Sequence, residues 1–460
     1  MTRRWPDRER IITGEIDRLC DMVAFGCRLN ETPLSTHVYS VARGLKNNLR
    51  PEKRFTSESR IALVIPYHPL DETGGLEIGT RMIAQGLHQL GHLVEIISRG
   101  HYLHRDWSGE HQTPEGITVR GIGTGIEGIN QFLFQHLSRY DVIQWMEIFP
   151  PVPEDPEQFN DKAEQQYLAS VLLRAKGKRT YLYTATSGNV EKRGTNNPDW
   201  IEMRKHQSFN ALIPVAFTGV NYANPEIKNE YVDAGIEISS SRQQFIPFGV
   251  DTMTFKPVVD GAEQKALRRK LGLPLDKMIF IYLGRFVQRK RADFLLDVWS
   301  QLPDDIHQKA VLVFAGGSAG EGQPDSIYEE MMRILPGVRS TKVLDYVPHE
   351  QVASLLKACD VMISPTIREG WPLALLEAMS CGIPVISSRI DGVKIIVQDG
   401  INGTLITPDS GEELSKAIVD ATQSPKHYQK MSLTARASVE STYGWDKISL
   451  IYRQFYCREF

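Results

Sequence analysis

The sequence predicts an α/β protein with two successive parallel sheets. Three observations lead to this prediction. From residue 60 onwards, short apolar runs alternate with longer segments of helical periodicity; a turn-rich stretch at 245–258 interrupts the alternation; and the same alternation then begins again. Buried strands separated by segments long enough for crossover helices are typical of parallel sheets. Because such sheets bind ligands at the carboxyl ends of their strands, we expect a cleft between the two sets of strands.

Length and composition agree with a large globular protein. The 460 residues suffice for two domains of roughly 200 residues each and a shorter extension. Hydrophobic residues make up 41% and charged residues 24% of the chain, which excludes a disordered or fibrous protein. The net charge of −3 disfavours a protein that grips a long polyanion with its whole surface.

Residues 1–58 are predicted to form a helical or irregular extension. The stretch 43–60 carries six basic and two acidic side chains, so it is either a solvated linker or a contact for an anionic surface such as lipid. Residues 1–20 lack the apolar core of a signal peptide, and five cysteines at irregular spacings indicate reduced thiols. We therefore expect a cytoplasmic protein that is able to contact the inner membrane face peripherally.

The first domain is predicted over residues 59–250. Its first strand is followed by a glycine pair and a helix at 77–91, and further strands follow at regular intervals. The predicted strands are 61–69, 93–98, 117–123, 141–146, 179–186 and 212–219.

The second domain is predicted over residues 251–440, and a final helix within 441–460 is expected to pack back on the first domain. The predicted strands are 277–286, 310–317, 341–347, 360–366, 383–388 and 403–407. The predicted helices are 294–302, 348–358, 372–382 and 411–422.

Two loops carry groups suited to phosphate. Gly74 and Gly75 follow the first strand, where glycine lets backbone N–H groups approach an anion, although such a pair equally marks an ordinary turn. Gly284, Arg285 and Lys290 follow the first strand of the second domain. Arg and Lys five residues apart in such a loop can hold a diphosphate. On charge alone, their basic run is better interpreted as solvent-exposed.

The loop and helix after the fourth strand of the second domain carry the strongest functional signal. Glu369 lies in the loop, Pro372 suits the first turn of the helix, and Glu377 lies about a turn and a half inside it. The free N–H groups of Leu373 and Ala374 are expected to form an anion site. Glu377 can accept hydrogen bonds from both hydroxyls of a ribose. Glu369, which precedes the helix, would contact the part of the ligand that extends beyond the phosphates.

Together, these motifs resemble those of the retaining glycosyltransferases of family 4, which have the GT-B fold of two Rossmann-like domains facing across a cleft. Glu369 and Glu377 match the family's E-x7-E signature, and Arg285 and Lys290 match its GR…K pair. The sequence GGLE at the glycine pair resembles the family's GG-x-E, IPFGVD resembles its hinge, and VLDYV resembles the segment that cradles the base.

The resemblance implies a hexosyltransferase that moves a sugar from a UDP- or GDP-linked donor to a hydroxyl acceptor with retention of configuration. The resemblance implies neither a metal nor a cofactor, because Arg and Lys would stabilise the negative charge of the leaving diphosphate. The catalytic residues would be Glu369, Arg285 and Lys290. The donor-binding residues would be Gly74, Gly75, Gly284, Val343, Tyr346, Gly370, Trp371, Leu373, Ala374 and Glu377. The stretch TATSGN lacks the His that many members place near the donor sugar, so Ser187 and Thr186 are the candidates to bind the sugar.

Other functions remain open. A nucleotide-sugar epimerase shares the fold and the donor, and a non-catalytic sugar-nucleotide-binding partner would keep the donor site without turnover. A dehydrogenase is disfavoured because a GxGxxG sequence opens neither sheet. The donor base, the sugar, the acceptor and the oligomeric state are not determined by these motifs.

Overall fold

The computed structural model describes residues 52–66, 68–70, 74–102, 105–123, 125–147, 158–184, 212–233, 236–317, 326–344 and 346–459. Most of the predicted N-terminal extension lies outside the described residues, as do Thr186 and Ser187, so what the sequence indicates for them stays a prediction. The chain forms two compact units, residues 1–247 with 449–460 and residues 248–448.

The first unit contains a large, mainly parallel sheet. Its strands are β1 (Arg60–Ile65), β2 (Leu93–Ser98), β3 (His101–Tyr102), β4 (Arg105–Asp106), β5 (Gly109–Gln112), β6 (Thr118–Gly121), β7 (Val142–Trp145), β8 (Arg179–Thr184), β9 (Gly219–Tyr222) and β10 (Gln243–Phe245). The sheet has the order β10-β9-β8-β7-β1-β2-β6-β5, and β3 pairs with β4 in a separate hairpin. All neighbours in the large sheet are parallel except β5 and β6.

Helices cover this sheet and share a core with it. They are α1 (Gly75–Gln89), α2 (Ile126–Gln135), α3 (Gln158–Ala175), α4 (Ile213–Ala216) and α5 (Glu226–Asp233). Trp145 from β7, Tyr167 from α3 and Phe217 after α4 are fully buried in one apolar cluster. Burial of this kind stabilises the sheet because apolar area leaves water.

One predicted strand of this unit is wrong. Residues 212–219 contain the helix α4, and β9 begins only at Gly219. Pro214 explains the difference, because it has no backbone N–H for a sheet and its fixed φ suits the first turn of a helix. The apolar run is buried as expected, but as a helix that precedes the strand.

The second unit contains a parallel sheet covered by helices. Its strands are β11 (Met278–Leu283), β12 (Ala310–Ala315), β13 (Thr341–Leu344), β14 (Val361–Ser364), β15 (Val385–Ser388) and β16 (Gly403–Ile406), in the order β13-β12-β11-β14-β15-β16. All of these neighbours are parallel. The helices are α6 (Gly261–Lys270), α7 (Ala292–Ser300), α8 (Asp304–Lys309), α9 (Ser326–Ile334), α10 (His349–Ala358), α11 (Leu373–Ser380), α12 (Asp391–Lys394), α13 (Gly411–Gln423) and α14 (Pro425–Thr442).

Each sheet reverses the direction in which the chain adds strands. In the second unit the chain proceeds from β11 to β13 on one side, and then adds β14 on the other side of β11. In the first unit β1 lies between β2 and β7 in the same way. The connections after the two strands flanking such a point leave on opposite faces of the sheet, which opens a crevice at their carboxyl ends.

Residues 449–460 belong to the first unit although they follow the second unit in the sequence. The last helix, α15, spans Trp445–Tyr456. Arg179 donates hydrogen bonds to the backbone O of Tyr456 at 2.6 Å and of Arg458 at 3.0 Å. The Tyr456 hydroxyl donates to Gln144 Oε1 at 3.1 Å inside the unit. The first unit is therefore assembled from two separate parts of the chain.

Two basic residues of the stretch 43–60 pair with acids of their own unit. Lys53 Nζ lies 2.8 Å from Asp141 Oδ1, and Arg54 Nε lies 3.6 Å from Glu459 Oε1. Among the residues described, no helix combines the length and apolarity needed to cross a bilayer.

Candidate functional site

The loops after β11 and β14 flank the crevice of the second sheet, and charged side chains from both loops meet there. Lys290 Nζ donates a hydrogen bond to Glu369 Oε2, and Arg289 Nη1 donates to the same oxygen at 2.9 Å. The Glu369 side chain is 12% exposed and that of Lys290 is 19% exposed. The basic run is therefore not simply solvated, as its charge alone suggested, because a carboxylate from a distant loop binds two of its members.

The charges of this cluster alter one another's titration. Burial raises the pKa of the Glu369 carboxyl, but the charges and hydrogen bonds of Lys290 and Arg289 outweigh that effect, so the pKa lies below its ordinary value. Burial lowers the pKa of the Lys290 ammonium below its ordinary value, although Glu369 opposes this and Arg285 adds to it. The positive charges of Arg289 and Arg285 thus both affect the titration of Lys290, and the Glu369 carboxylate binds Lys290 and Arg289 together.

Two glycines let the loops after β11 and β12 approach closely. Gly284 and Gly316 have φ values of +152° and +146°, and a Cβ on Gly316 would lie 2.0 Å from the Gly284 O atom. Phe286 N donates to Gly317 O at 3.0 Å, and the Tyr282 hydroxyl donates to Arg285 O at 3.0 Å. These contacts fix the backbone on both sides of Arg285.

The loop that carries Glu369 is fixed on two sides. Ile367 N donates to Arg289 O at 3.0 Å, which ties this loop to the one after β11. On the other side, Gly392 of α12 packs against its backbone, since a Cβ there would lie 2.4 Å from Glu369 O and 2.8 Å from Gly370 O. The Trp371 indole Nε1 donates to Phe248 O at 2.9 Å and anchors the end of the loop.

Helix α11 begins one residue later than predicted, and one of its two predicted anion-binding amides is not free. Pro372 precedes the helix with φ −84° and ψ 82°, which is close to an inverse γ-turn. This turn brings Leu373 N to the Trp371 O atom at 3.1 Å, where it donates a hydrogen bond. The anion-binding role of Ala374 stays a prediction.

Glu377 has a partner that the sequence did not indicate. His349, the first residue of α10, places Nε2 at 2.7 Å from Glu377 Oε1. Since an ionised carboxylate only accepts, the imidazole donates this hydrogen bond. The contact joins residues 28 positions apart. Both His349 and Arg289 were missed as site residues, and the only local signal is that each lies just beyond the carboxyl end of a predicted strand.

The remaining predicted donor residues of this unit lie at the end of β13. Val343 is half-buried in the strand, and Tyr346 is 58% exposed. Gly317, after the neighbouring strand β12, lies beside Tyr346, whose Cβ is 3.8 Å from the position that a Cβ on Gly317 would take. The structure thus brings the segments after β12 and β13 together at the carboxyl edge that also carries Glu369.

In the first unit, Gly74 is the N-cap of α1 and Gly75 is its first residue. The Glu77 carboxylate folds back towards this end, since Oε2 lies 2.8 Å from the position of a Cβ on Gly74. An acidic side chain from the first turn therefore already lies at the terminus where the sequence suggested a bound anion. The donor-binding role of the glycine pair stays a prediction.

Three aromatic rings pack together beyond the carboxyl end of β1. His68 stacks on Trp107 with centroids 4.6 Å apart, and His111 lies edge-on to both. Leu70 N donates to His68 Nδ1 at 3.4 Å, so Nε2 carries the proton in the neutral ring. Burial, reinforced by His111, lowers the pKa of His68 to about 4. Within the described part of the chain, His68 Nε2 and Trp107 Nε1 are buried N–H groups without a hydrogen-bond partner.

Replacement of Gly392 by alanine is expected to displace the Glu369 loop, because the added Cβ has no room beside Glu369 O and Gly370 O. We expect a loss of about 1–3 kcal/mol in the free energy of unfolding. Thermal unfolding of the wild type and the variant measures this loss of stability. Gly261→Ala is the matched control, since its Cβ would meet nothing within 4 Å. Equal stability of the two variants would contradict the packing described for this loop.

The part of the chain that carries this site resembles known proteins. Residues 263–438 match the family model described as glycosyl transferases group 1. A D-inositol 3-phosphate glycosyltransferase of Xylanimonas cellulosilytica is 32% identical over 223 residues, which are 47% of this chain and 51% of the relative. The chain spans about half the length of the curated relatives it matches.

Two solved structures resemble nearly the whole chain. Sucrose-phosphate synthase from Thermosynechococcus elongatus is 21% identical with a TM-score of 0.68, over 87% of this chain and 98% of that one. HepE of Anabaena, in complex with UDP-glucose, is 17% identical with a TM-score of 0.65, over 86% and 99%. These likenesses, with the two parallel sheets described above, show that the chain is an α/β protein with the GT-B fold predicted from its sequence.

Proposed function

We propose that the protein is a retaining glycosyltransferase, which moves a sugar from a UDP- or GDP-linked donor to a hydroxyl acceptor. The observation that carries this proposal is the cluster of Lys290, Arg289 and Glu369 at the crevice of the second sheet, with Arg285 close by. Cations grouped beside a parallel sheet's carboxyl edge suit a diphosphate. The match of residues 263–438 to glycosyl transferases group 1 supports the same conclusion.

The proposed reaction breaks the bond between C1 of the sugar and the diphosphate oxygen. Negative charge develops on the departing diphosphate, and Arg285 and Lys290 stabilise it. The acceptor hydroxyl attacks C1 from the face that the diphosphate leaves, so the configuration at C1 is retained. Its proton passes to the departing diphosphate oxygen. Glu369 keeps Lys290 in place and orients the sugar hydroxyls, without acting as a covalent nucleophile.

The nucleoside part of the donor is assigned to the remaining residues of the second unit. Glu377 accepts hydrogen bonds from the ribose hydroxyls, and Val343 and Tyr346 lie along the base. HepE, whose structure was solved with UDP-glucose, has the same fold. This supports a nucleotide sugar as the donor, and we propose that its base is uracil or guanine.

The acceptor is assigned to the first unit. Within the residues that the structure describes, the buried N–H groups of His68 and Trp107 have no hydrogen-bond partner, which favours an acceptor rich in hydroxyl oxygens. The low pKa of His68 keeps its ring neutral near pH 7, so this ring would recognise hydroxyls rather than a charge. A peripheral membrane contact through 43–60 belongs to the proposal as well, with Lys53 already paired to Asp141.

A screen of the full-length chain against UDP- and GDP-sugars tests the activity. We expect one donor to be consumed with release of UDP or GDP, and NMR of the product to show the donor's anomeric configuration. Conversion of the donor to its C2 epimer would instead identify an epimerase. Binding of a donor without turnover, in the presence of glycan, lipid-linked and small-molecule acceptors, would identify a non-catalytic binding protein.

A further inference from the structure

The contact between His349 and Glu377 joins two helices. His349 is the first residue of α10 and Glu377 lies in the second turn of α11. Their side chains are 16% and 6% exposed, and Nε2 lies 2.7 Å from Oε1. A short, largely buried hydrogen bond of this kind restricts a glutamate side chain that otherwise has three rotatable bonds.

The surroundings hold the His349 ring in place. The Phe255 ring packs against it with centroids 5.6 Å apart. Phe255 is itself fixed to α11 and α14, because its backbone O accepts hydrogen bonds from Ser380 Oγ of α11 at 2.6 Å and from Arg436 Nη1 of α14 at 2.8 Å. The helix that carries Glu377 therefore also holds the residue that packs on His349. This closed set of contacts fixes the imidazole relative to the carboxylate.

We propose that His349 is a positioning residue for the nucleoside: it holds Glu377 Oε1 so that the carboxylate receives the ribose hydroxyls in a preset orientation. This inference rests on the proposed function. Of the two carboxylate oxygens, Oε1 is bound by the imidazole, so Oε2 carries the larger share of the ribose contact. Presetting the side chain lowers the entropy lost on binding and strengthens recognition of the ribose.

Two substitutions separate the hydrogen bond from the packing. His349→Phe keeps a ring against Phe255 but removes the donor, whereas His349→Gln places an amide N–H near the original Nε2. Calorimetry with UDP, GDP and their 2′-deoxy forms measures both affinity and discrimination for ribose. We expect the wild type to prefer the ribonucleotide, His349→Phe to bind it about tenfold more weakly, and His349→Gln to regain most of the loss.

The ratio of affinities decides the inference. A positioning role requires His349→Phe to bind the 2′-deoxynucleotide almost as well as the wild type does, so that the discrimination shrinks. If His349→Phe lost the same factor of affinity for both nucleotides, His349 would be a packing residue and the inference would be wrong. If its affinity for the ribonucleotide were unchanged, the inference would also be wrong, but the proposed function would stand. If the wild type itself binds neither UDP nor GDP, the proposed function fails, and the role of His349 fails with it.

Discussion

Replacement of Lys290 by methionine is expected to lower turnover of the donor by a factor of about 10² or more, as loss of one group that stabilises developing negative charge typically does. Methionine keeps much of the length and apolar volume of the lysine stem but supplies no charge. Arg289 remains 2.9 Å from Glu369, so the carboxylate keeps one cationic partner. Steady-state kinetics with the donor found by the screen measure the effect.

Lys309→Met is the matched control for this prediction. Lys309 is exposed and pairs across one turn of its helix with Asp305, at 3.3 Å, so its loss should leave turnover unchanged. Wild-type turnover in a variant that lacks both Lys290 and Arg285 would exclude the diphosphate role of these cations. A similar fall in both lysine variants would point to a general effect of charge.

Replacement of Lys290 by methionine should also change how the free energy of unfolding depends on pH. The pKa of Glu369 is lower in the folded protein than its ordinary value of 4.5. The pairing of Glu369 therefore contributes stability above pH 4.5, and this contribution is lost as the pH falls through the folded pKa. Since Lys290 is one of the groups that lower this pKa, we expect its replacement to bring the folded pKa closer to 4.5 and to reduce the stability lost on the acid side. Thermal unfolding at a series of pH values follows this difference.

Replacement of Arg268 by alanine is expected to destabilise the second unit by about 3 kcal/mol, near the lower end of the range for breaking a buried ion pair, because Asp360 keeps some exposure to solvent. Arg268 Nη2 lies 2.6 Å from Asp360 Oδ2, and its other nitrogens donate to Ala358 O at 2.9 Å and Lys277 O at 3.1 Å. The Asp360 side chain is 27% exposed. Alanine removes all of these bonds and leaves the carboxylate with its contacts to Ile279 N at 2.7 Å and Gln264 Nε2 at 3.3 Å.

The neighbouring residue gives a close control. Arg269 lies on the same helix and is exposed, so Arg269→Ala should change stability by no more than about 0.5 kcal/mol. Hydrogen exchange of the amides of β11 and β12 reports on the second unit by itself. If the two arginine variants exchange alike, the buried guanidinium does not have the structural role described.

The sequence indicated the sheets better than it indicated the contacts at the site. Apolar runs alternating with helical segments are a local pattern, and they predicted β11 to β16 with only small errors at the ends. The same pattern failed at 212–219, where a proline inside an apolar run made a helix of the expected strand. Local periodicity cannot separate a short buried helix from a buried strand, since both are continuously apolar.

Contacts between distant residues explain what was missed at the site. Arg289 belongs to a basic run that looks solvated in isolation, and only the approach of Glu369, 80 positions away, makes it part of a cluster. His349 begins an ordinary amphipathic helix, and its contact with Glu377 depends on how two helices pack. The hydrogen bond of Leu373 N depends on the turn at Pro372, which the residue types alone suggested only in part.

The origin of the first unit from two parts of the chain has a consequence for folding during synthesis. Residues up to 247 leave the ribosome long before 449–459, which supply the partners of Arg179 and Gln144. Until then Arg179 Nη1 and Gln144 Oε1 await these partners, although Arg179 Nε already donates to Lys53 O at 3.0 Å. The adjacent apolar face of Tyr181, against which Phe455 and Tyr456 pack, also stays uncovered. The intervening 248–448 form a unit of their own and are able to fold first. We therefore expect the first unit to complete its fold only after the second unit has been synthesised.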